Sequence, residues 1–339
     1  MRYDFTFGGL FCNQLIINDA DLDEKQQKIR IFALMEAPLV SIVIVCMNRM
    51  DNLYPCLEGV RDYTGVPCET FVVAYRFSPE NLARAQADFP WVTWIESREV
   101  HGFSENNNLA LRQARGRYCF IVNDDTLMDM PVIDRLVEDF GRLPDSAAAL
   151  SPCIRFPDGR IQTCGRGPWN AWRYARHYLH GVDETRPGRW SMREGLFQTY
   201  TLNGACFLIR TDVFREAGWF DERFFFTPED IALGDLLNRR GYTVWVDADV
   251  SITHVAGGSV SAMEAAIKPA RVRGSLIFYG EPLPLKLLIW CYEALRVCKY
   301  AFLPRTDRNT LMRQTAVNVM HTVFSGLSPK EIFIRCSHG

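Results

Sequence analysis

Asn123-Asp124-Asp125 closes an apolar run, Tyr118 to Val122, that reads as a buried strand. Adjacent carboxylates repel each other and resist desolvation, so a core strand gains nothing from them. Two readings follow. The acids face a cleft in which a divalent cation neutralises them; hard oxygen ligands suit Mg²⁺ or Mn²⁺ holding a substrate diphosphate. Alternatively they form a solvated strand-to-helix loop with an Asp as cap. Spacing alone does not choose. A second group is Thr227-Pro228-Glu229-Asp230, a strong helix start: Thr227 as cap, Pro228 at the first position, acids in the first turn, Asp230 in the third place of a capping box. The helix dipole then accounts for both acids. The catalytic reading makes one of them a general base that takes a proton from an acceptor hydroxyl. His254 ends the run "VSITH". A lone His is more often structural than a ligand, yet a neutral imidazole at the same cleft completes a metal shell when its second nitrogen is held. Gly257 and Gly258 let backbone approach a phosphate, or simply make a turn.

These side chains need a frame. "LVSIVIVC" from Leu39 is a continuous apolar, β-branched run, as in a strand buried on both faces. Helix "NLYPCLEGVRDY", strand "ETFVVAY", helix "SPENLARAQADF", strand "VTWIE", helix "SENNNLALRQARG" starting at Ser104, strand "YCFIV" and helix "MPVIDRLVEDFGRL" follow. Alternating strands and helices predict parallel pairing with right-handed crossovers, and ligands gather at the C-terminal strand ends of such sheets. "CIRFPDGRIQTC" reads as a hairpin turning at Asp158-Gly159. Residues 164–197 hold many Trp, Tyr, Arg and Gly without periodicity and suggest a long ordered loop or lid. Then come strand "GACFLIR", helices "TDVFREAG" and "PEDIALGDLLNRRG", and two strands, "YTVWVD" and "VSITH".

The ends differ from the middle. "YDFTFGGLFCNQLIIN" suggests a hairpin around Gly8-Gly9, and Asp19, Asp21 and Asp23 read as a solvated acidic turn rather than a calcium loop. From Lys268 to the C-terminus eleven Lys/Arg stand against four Asp/Glu, within a chain of net charge −2. That balance argues against a nucleic-acid partner and for a basic tail. In "PLPLKLLIWCYEALRVCKYAFLP", Lys286, Glu293, Arg296 and Lys299 share one helical face; Leu287, Leu288, Trp290, Cys291, Leu295 and Phe302 share the other. Two readings stay open, a helix packed on the body and a helix on an anionic membrane surface. With no C-x-x-C pair and no signal peptide, the expected location is the cytoplasm, peripheral to the inner face of the plasma membrane if the tail binds lipid.

The segment from Val40 to about Ser259 resembles the family 2 glycosyltransferases, especially their rhamnosyltransferase-like branch. The stretches that carry the likeness are "SIVIVCMNR", "HGFSENNNLALRQARGRYCFIVNDDT", "SPCIRFPDGRIQTCGR" and "LNGACFLIRTDVFREAGWFDERFFFTPEDIALGDLLNRRGYTVWVDADVSITHVAGGS". The resemblance implies a GT-A fold, a Rossmann-like mixed sheet flanked by helices with a helical C-terminal tail. The expected layout is an N-terminal extension (1–38), a catalytic domain (39–260) with a nucleotide half to about 126 and an acceptor half beyond, and a tail (261–339). It implies an inverting transfer from a nucleoside-diphosphate sugar to a hydroxyl of a glycan or lipid-linked glycan. Mn²⁺ or Mg²⁺ would be held by Asp125 and His254, with Asp230 as base and Glu229 beside it. Donor contacts would come from Asn48, Tyr75, Asn107, Asn123, Asp124 and Asp125. Two departures stand out. Where the family carries an acidic residue for the nucleobase, this sequence has Ala74 and Tyr75; where it carries Asn-x-Gly, Val100-His101-Gly102. Tyr75 either stacks on a base or belongs to the core.

Two rivals remain: a nucleotidyltransferase of related fold, weakened by the missing Gly-rich phosphate loop after "SIVIVC", and a non-catalytic member that binds glycan or protein, which the missing nucleobase acid favours.

Overall fold

The computed structural model of the protein describes residues 37–163, 165–181, 193–255 and 263–337. The hairpin expected at Gly8-Gly9, the acidic turn at Asp19 to Asp23, and Gly257-Gly258 lie outside the described residues. Leu39–Gly339 forms one compact unit.

The apolar run after Leu39 is strand β1, Val40–Cys46. Val40, Ile42, Ile44 and Cys46 face one core layer, with Leu53, Leu57 and Val60 of the helix Met50–Tyr63. Val43 faces the other, with Leu111, Phe207 and Phe214. Each such aliphatic side chain contributes about 1.5–3 kcal/mol when fully buried, and burial on both sides explains why the run has no polar alternation. Strand β2 (Cys68–Tyr75) and β4 (Tyr118–Asn123) flank β1 in parallel, and β3 (Thr93–Ser97) adds to β2. The helices Pro79–Asp88 and Phe103–Leu111 make the crossovers. The remaining described strands are β5 (Thr126–Leu127), β6 (Ala147–Arg155), β7 (Ile161–Thr163), β8 (Leu196–Thr199), β9 (Cys206–Arg210) and β10 (Thr243–His254). Their order is β3-β2-β1-β4-β9-β6-β10-β5, with β7 on β6 and β8 on β10. Because β9 runs antiparallel to both β4 and β6, the sheet is mixed, as the GT-A expectation requires.

Several local expectations meet the structure differently. The helix expected from Ser104 starts at Phe103 behind Gly102, whose N–H donates to Glu105 Oε2 at 2.9 Å. Only glycine fits at 102: a Cβ there would collide with the Phe225 carbonyl, and Phe103 N–H donates to that same oxygen at 2.7 Å. "YTVWVD" and "VSITH" are one strand, β10. Its register on β6 slips between Asp247 and Ser251, and Asp249 N–H donates to Asp247 Oδ1 at 2.9 Å. The polar break that reads as a turn is a bulge. The Asp158-Gly159 hairpin forms as expected, with Gly159 at φ +82. Within 164–197, the described part holds the helix Ala171–His180, capped by Asn170, and β8.

Beyond residue 263 the chain is helical: Glu264–Phe278, Leu283–Ala301, Asp307–Thr322 and Pro329–Ser337. The helix Leu283–Ala301 packs on the body while leaving part of its apolar surface exposed. Three of its four charged side chains, Lys286, Glu293 and Arg296, are turned toward the body beside Leu285 and Ile289, and Lys299 is exposed. Glu293 is fully buried, accepting from Lys268 Nζ (2.8 Å), Arg296 Nη1 (2.7 Å) and Tyr178 Oη (2.5 Å), while Lys286 pairs with Glu281. Mutual neutralisation lets these groups leave water, and part of the apolar surface is turned to solvent.

Candidate active site

The strand β4 stops because the chain must turn. Thr126 Oγ1 donates to Asn123 O at 2.8 Å and closes Asn123-Asp124-Asp125 into a tight loop before β5. β5 pairs antiparallel with the end of β10, His254 opposite Thr126, and Val255 N–H donates to Asp125 O at 2.9 Å. This short ladder carries His254 to the loop. His254 Nε2 lies 3.1 Å from Asp125 Oδ1 and 3.5 Å from Asn123 Nδ2. The other ring nitrogen, Nδ1, lies 2.7 Å from Gln162 Oε1 on β7. With Nδ1–H donating to that amide oxygen, the imidazole presents the Nε2 lone pair to a carboxylate oxygen. Two lone pairs at 3.1 Å call for a proton or a cation between them, and a carboxylate with an oriented imidazole suits Mn²⁺ or Mg²⁺. No group of three or more His, Cys, Asp or Glu gathers as a metal shell among the described residues, so the pair offers one carboxylate and one imidazole toward the metal that the resemblance implies. Asp124 turns the other way, toward the Cys46 thiol at the end of β1. Burial, opposed by that thiol and reinforced by the Asp125 charge, raises its carboxyl to about 6.

Glu229 and Asp230 open the helix Glu229–Arg239. The capping box expected of Thr227 does not form: Pro228 holds the cap position, with no side-chain cap bond. Asp230 is instead drawn sideways. Its Oδ2 accepts from Arg166 Nη1 at 3.0 Å and from Gly204 N–H at 3.2 Å, and its Oδ1 from Ile231 N–H at 2.7 Å. The neighbouring Ala205 carbonyl accepts from Asn123 N–H at 2.9 Å. The stretch Asn203–Ala205 thus touches both the loop at the end of β4 and the acid at the helix start. Glu229 is buried with Oε2 lacking a partner, and burial first, then the Asp230 charge, pushes its carboxyl well above the usual range. The tail helix Glu264–Phe278 backs this corner. Gly274 lies so close beneath the Thr227 carbonyl that a Cβ would collide with it.

The other candidates fall at different places. Asn48, in the left-handed region at φ +54 just past β1, accepts from Ser78 N–H (3.3 Å) and Asn81 Nδ2 (3.0 Å). Tyr75, the last residue of β2, is buried. Asn107 is buried too, and its amide donates to Phe103 O one turn back at 2.9 Å. Asn106 is tied to Ser97 and His101, and Asn108 to Phe220 and Glu222. The Asn-rich stretch thus bonds its own helix, β3 and the segment at Phe220–Glu222. Conversely, Gln162 and Arg166 escape a reading by sequence. Their one sequence signal is that both lie in the stretch "SPCIRFPDGRIQTCGR" that carries the family resemblance. A groove of about 880 Å³ opens on the face of the helix Glu229–Arg239 that carries Ala232, Asp235 and Leu236. It contains none of Asp125, Asp230 and His254.

The chain is similar to several known proteins. The N-acetylglucosaminyl-diphospho-decaprenol L-rhamnosyltransferase of Mycobacterium tuberculosis (strain CDC 1551 / Oshkosh) is 28% identical over 181 residues, 48% of this chain and 55% of that protein. The O-antigen biosynthesis protein RfbC of Myxococcus xanthus is 27% identical over 238 residues, 64% of this chain and 17% of that protein. This chain therefore spans about half the length of the first relative and a small part of the second. Two solved structures share the fold. GalNAc-T7 with UDP, GalNAc and Mn²⁺ has a TM-score of 0.54 at 13% identity, over 89% of this chain and 57% of that one. The mannosyltransferase PcManGT from Pyrobaculum calidifontis, in complex with GDP-Man and Mn²⁺, has a TM-score of 0.50 at 14% identity, over 89% and 86%. Residues 37–271 match the family described as glycosyltransferase like family 2, a span that holds both acid pairs and His254. The chain belongs to that family.

Proposed function

We propose that this protein transfers a sugar, with inversion, from a nucleoside-diphosphate donor to a hydroxyl of a glycan or lipid-linked glycan. The observation that carries the reading is the meeting of Asp125 and His254 at the end of β4, with Gln162 fixing the imidazole. A switch point of a doubly wound sheet is where such folds bind nucleotides. Asp125 and His254 would hold Mn²⁺ or Mg²⁺, which when bound offsets the charge that develops on the departing diphosphate. Asp230 accepts the proton of the acceptor hydroxyl as its oxygen attacks the anomeric carbon, and Arg166 keeps that carboxylate oriented. Glu229, buried beside it, serves as support for the base. Asn123 and Asp124 frame the donor diphosphate at the strand end, and Asn48 bounds the mouth at the end of β1. Rhamnose is the sugar named for the mycobacterial relative and is the first donor to try. The Mn²⁺ of both structural neighbours favours that ion. We place the catalytic part at about residues 39–260, with the helices that follow as its support.

Calorimetry with a nucleoside diphosphate and Mn²⁺ tests the assignment. Asp125→Ala is expected to abolish the metal-dependent part of the binding. Equal affinity in the variant and the parent would remove Asp125 from the metal site.

A further inference from the structure

The helix Leu283–Ala301 presents to solvent a largely apolar face: Leu283, Leu287, Trp290 and Leu295, with Cys291 and Cys298 between them, Lys299 near one end and Phe302 just beyond it. Leu283, Leu295 and Phe302 are 60%, 70% and 90% exposed. At 1.5 Å per residue the helix is roughly 28 Å long, so the face is far more than a scattered surface leucine. Its other charged residues cannot turn outward to cover it. Glu293 is fixed by Lys268 and Arg296, and Lys286 by Glu281. At the C-terminal end of the face, Lys299, Arg305 and Arg308 are exposed, against one exposed acid, Asp307.

We propose that this face lies on an anionic lipid bilayer, with Leu287, Leu295 and Phe302 in the acyl boundary and Lys299, Arg305 and Arg308 among the headgroups. Three features choose lipid as the occupant. The apolar side chains of the face offer no strong donor or acceptor apart from the Trp290 indole, whereas a protein partner is usually met with a polar, hydrogen-bonding rim. The exposed charge at its end is net positive, which complements an anionic leaflet, where each base near the surface adds attraction. A tryptophan along an apolar face suits the headgroup boundary. No described helix is long and apolar enough to cross a membrane, so the arrangement is one that rests on the surface. The inference deepens the sugar-transfer reading by placing the protein where a lipid-linked acceptor would lie; vesicle binding itself stands without that reading.

The test is co-sedimentation of the full chain with vesicles of phosphatidylcholine alone and of phosphatidylcholine mixed with phosphatidylglycerol. The protein is expected to bind the mixed vesicles. A variant carrying Leu287→Gln, Leu295→Gln and Phe302→Gln is expected to lose about a hundredfold in partitioning or more. Arg305→Gln with Arg308→Gln is expected to lose roughly thirtyfold on the mixed vesicles only. Should the triple variant fold poorly, Phe302→Gln alone, beyond the last helical turn, is expected to lower partitioning several-fold. Absence of binding by the parent protein, or equal binding by these variants, overturns the proposal. So does a dimer without vesicle affinity that the triple variant dissolves, because the face would then belong to a second copy. Donor hydrolysis without vesicles separates the two readings. A protein that binds vesicles yet hydrolyses no nucleotide sugar overturns the sugar transfer and upholds the lipid contact.

Discussion

Two crowded groups of charge sit in this molecule, and they are completed differently. Around Glu293 the chain supplies everything the buried carboxylate needs: an ammonium, a guanidinium and a phenol within 2.8 Å. At the end of β4 the chain instead sets Asp124 beside Asp125 and points an imidazole nitrogen at the latter, and burial raises the Asp124 carboxyl to about 6. A buried ionic group that is closed by its own counter-charges is architecture. On the proposed reading, the one that gathers negative charge and an imidazole lone pair at a strand end would receive a cation from outside. Asp230 lies between the two cases, held by Arg166 yet on the rim of the stretch that touches Asn123.

The contrast breaks if the strand-end acids prove structural or the tail acid proves functional. The largest effect is expected at Asp230. Asp230→Asn keeps the size of the side chain and an oxygen for Arg166 but removes the base. Transfer measured by release of nucleoside diphosphate should fall about 10²–10⁴-fold, while calorimetric donor affinity stays within about twofold. A parallel loss of donor affinity would make Asp230 a binding residue. Glu293→Ala is expected to act the other way round. Lys268 and Arg296 would be left buried without their partner, which destabilises by about 3–5 kcal/mol. Urea unfolding reads that loss, and donor affinity of the folded variant should be unchanged. The third effect is subtler. Gln162→Leu frees the imidazole to turn, and loss of such an outer partner typically costs about 10–100-fold in metal affinity. Mn²⁺ titration followed by nucleotide protection against heat measures it. An unchanged Mn²⁺ affinity would show that Gln162 does not set the ring.

How far the sequence carries depends on the range of the interaction. The parallel half of the sheet was legible because burial on both faces leaves an unbroken apolar run, as in Val40–Cys46. Asp125 and His254 were legible as candidates because acids and imidazoles are rare at strand ends. Their meeting was implied by the family resemblance and is found at 3.1 Å; the residues alone did not show the route to it, which is β5 pairing with β10 across the chain. Gln162 and Arg166 lie in the stretch "SPCIRFPDGRIQTCGR" that carries the resemblance, yet neither stood out as a site residue, because a neutral amide or a surface-type arginine acquires its role only from what folding places beside it. The tail's two readings stayed open in the sequence for a related reason. Helical periodicity separates a charged face from an apolar one, but it does not say which side meets the protein. Lys268 on one helix and Tyr178 on another reversed the usual answer by matching Glu293. Asn107 could be read two ways from its position at a helix start, and in the structure its amide donates to Phe103 O one turn back.

A third acidic pair sharpens the comparison with the smallest effect. Asp247, at the β10 bulge, is buried against Asp139 on the helix Val132–Phe140, and Asp139 is held by Arg142 Nη1 at 2.6 Å. Burial first, then the hydrogen bond with Asp139, raises the Asp247 carboxyl from 3.8 to about 6. The folded state therefore binds its proton more tightly than the unfolded chain does. The stability this adds is complete below about pH 4 and is lost as pH rises through about 6, because the ionised pair must then be buried. Asp247→Asn should keep the bond from Asp249 N–H and offer an amide donor to Asp139, with no charge to bury. The variant is expected to match the parent near pH 4 and to exceed it by about 1–3 kcal/mol above pH 7, read from urea midpoints at the two values. A gain of equal size at both would mean that Asp247 does not titrate in this window. It would also mean that carboxylate crowding in this fold is tolerated without a proton or a cation, which would weaken the same argument at Asp124 and Asp125.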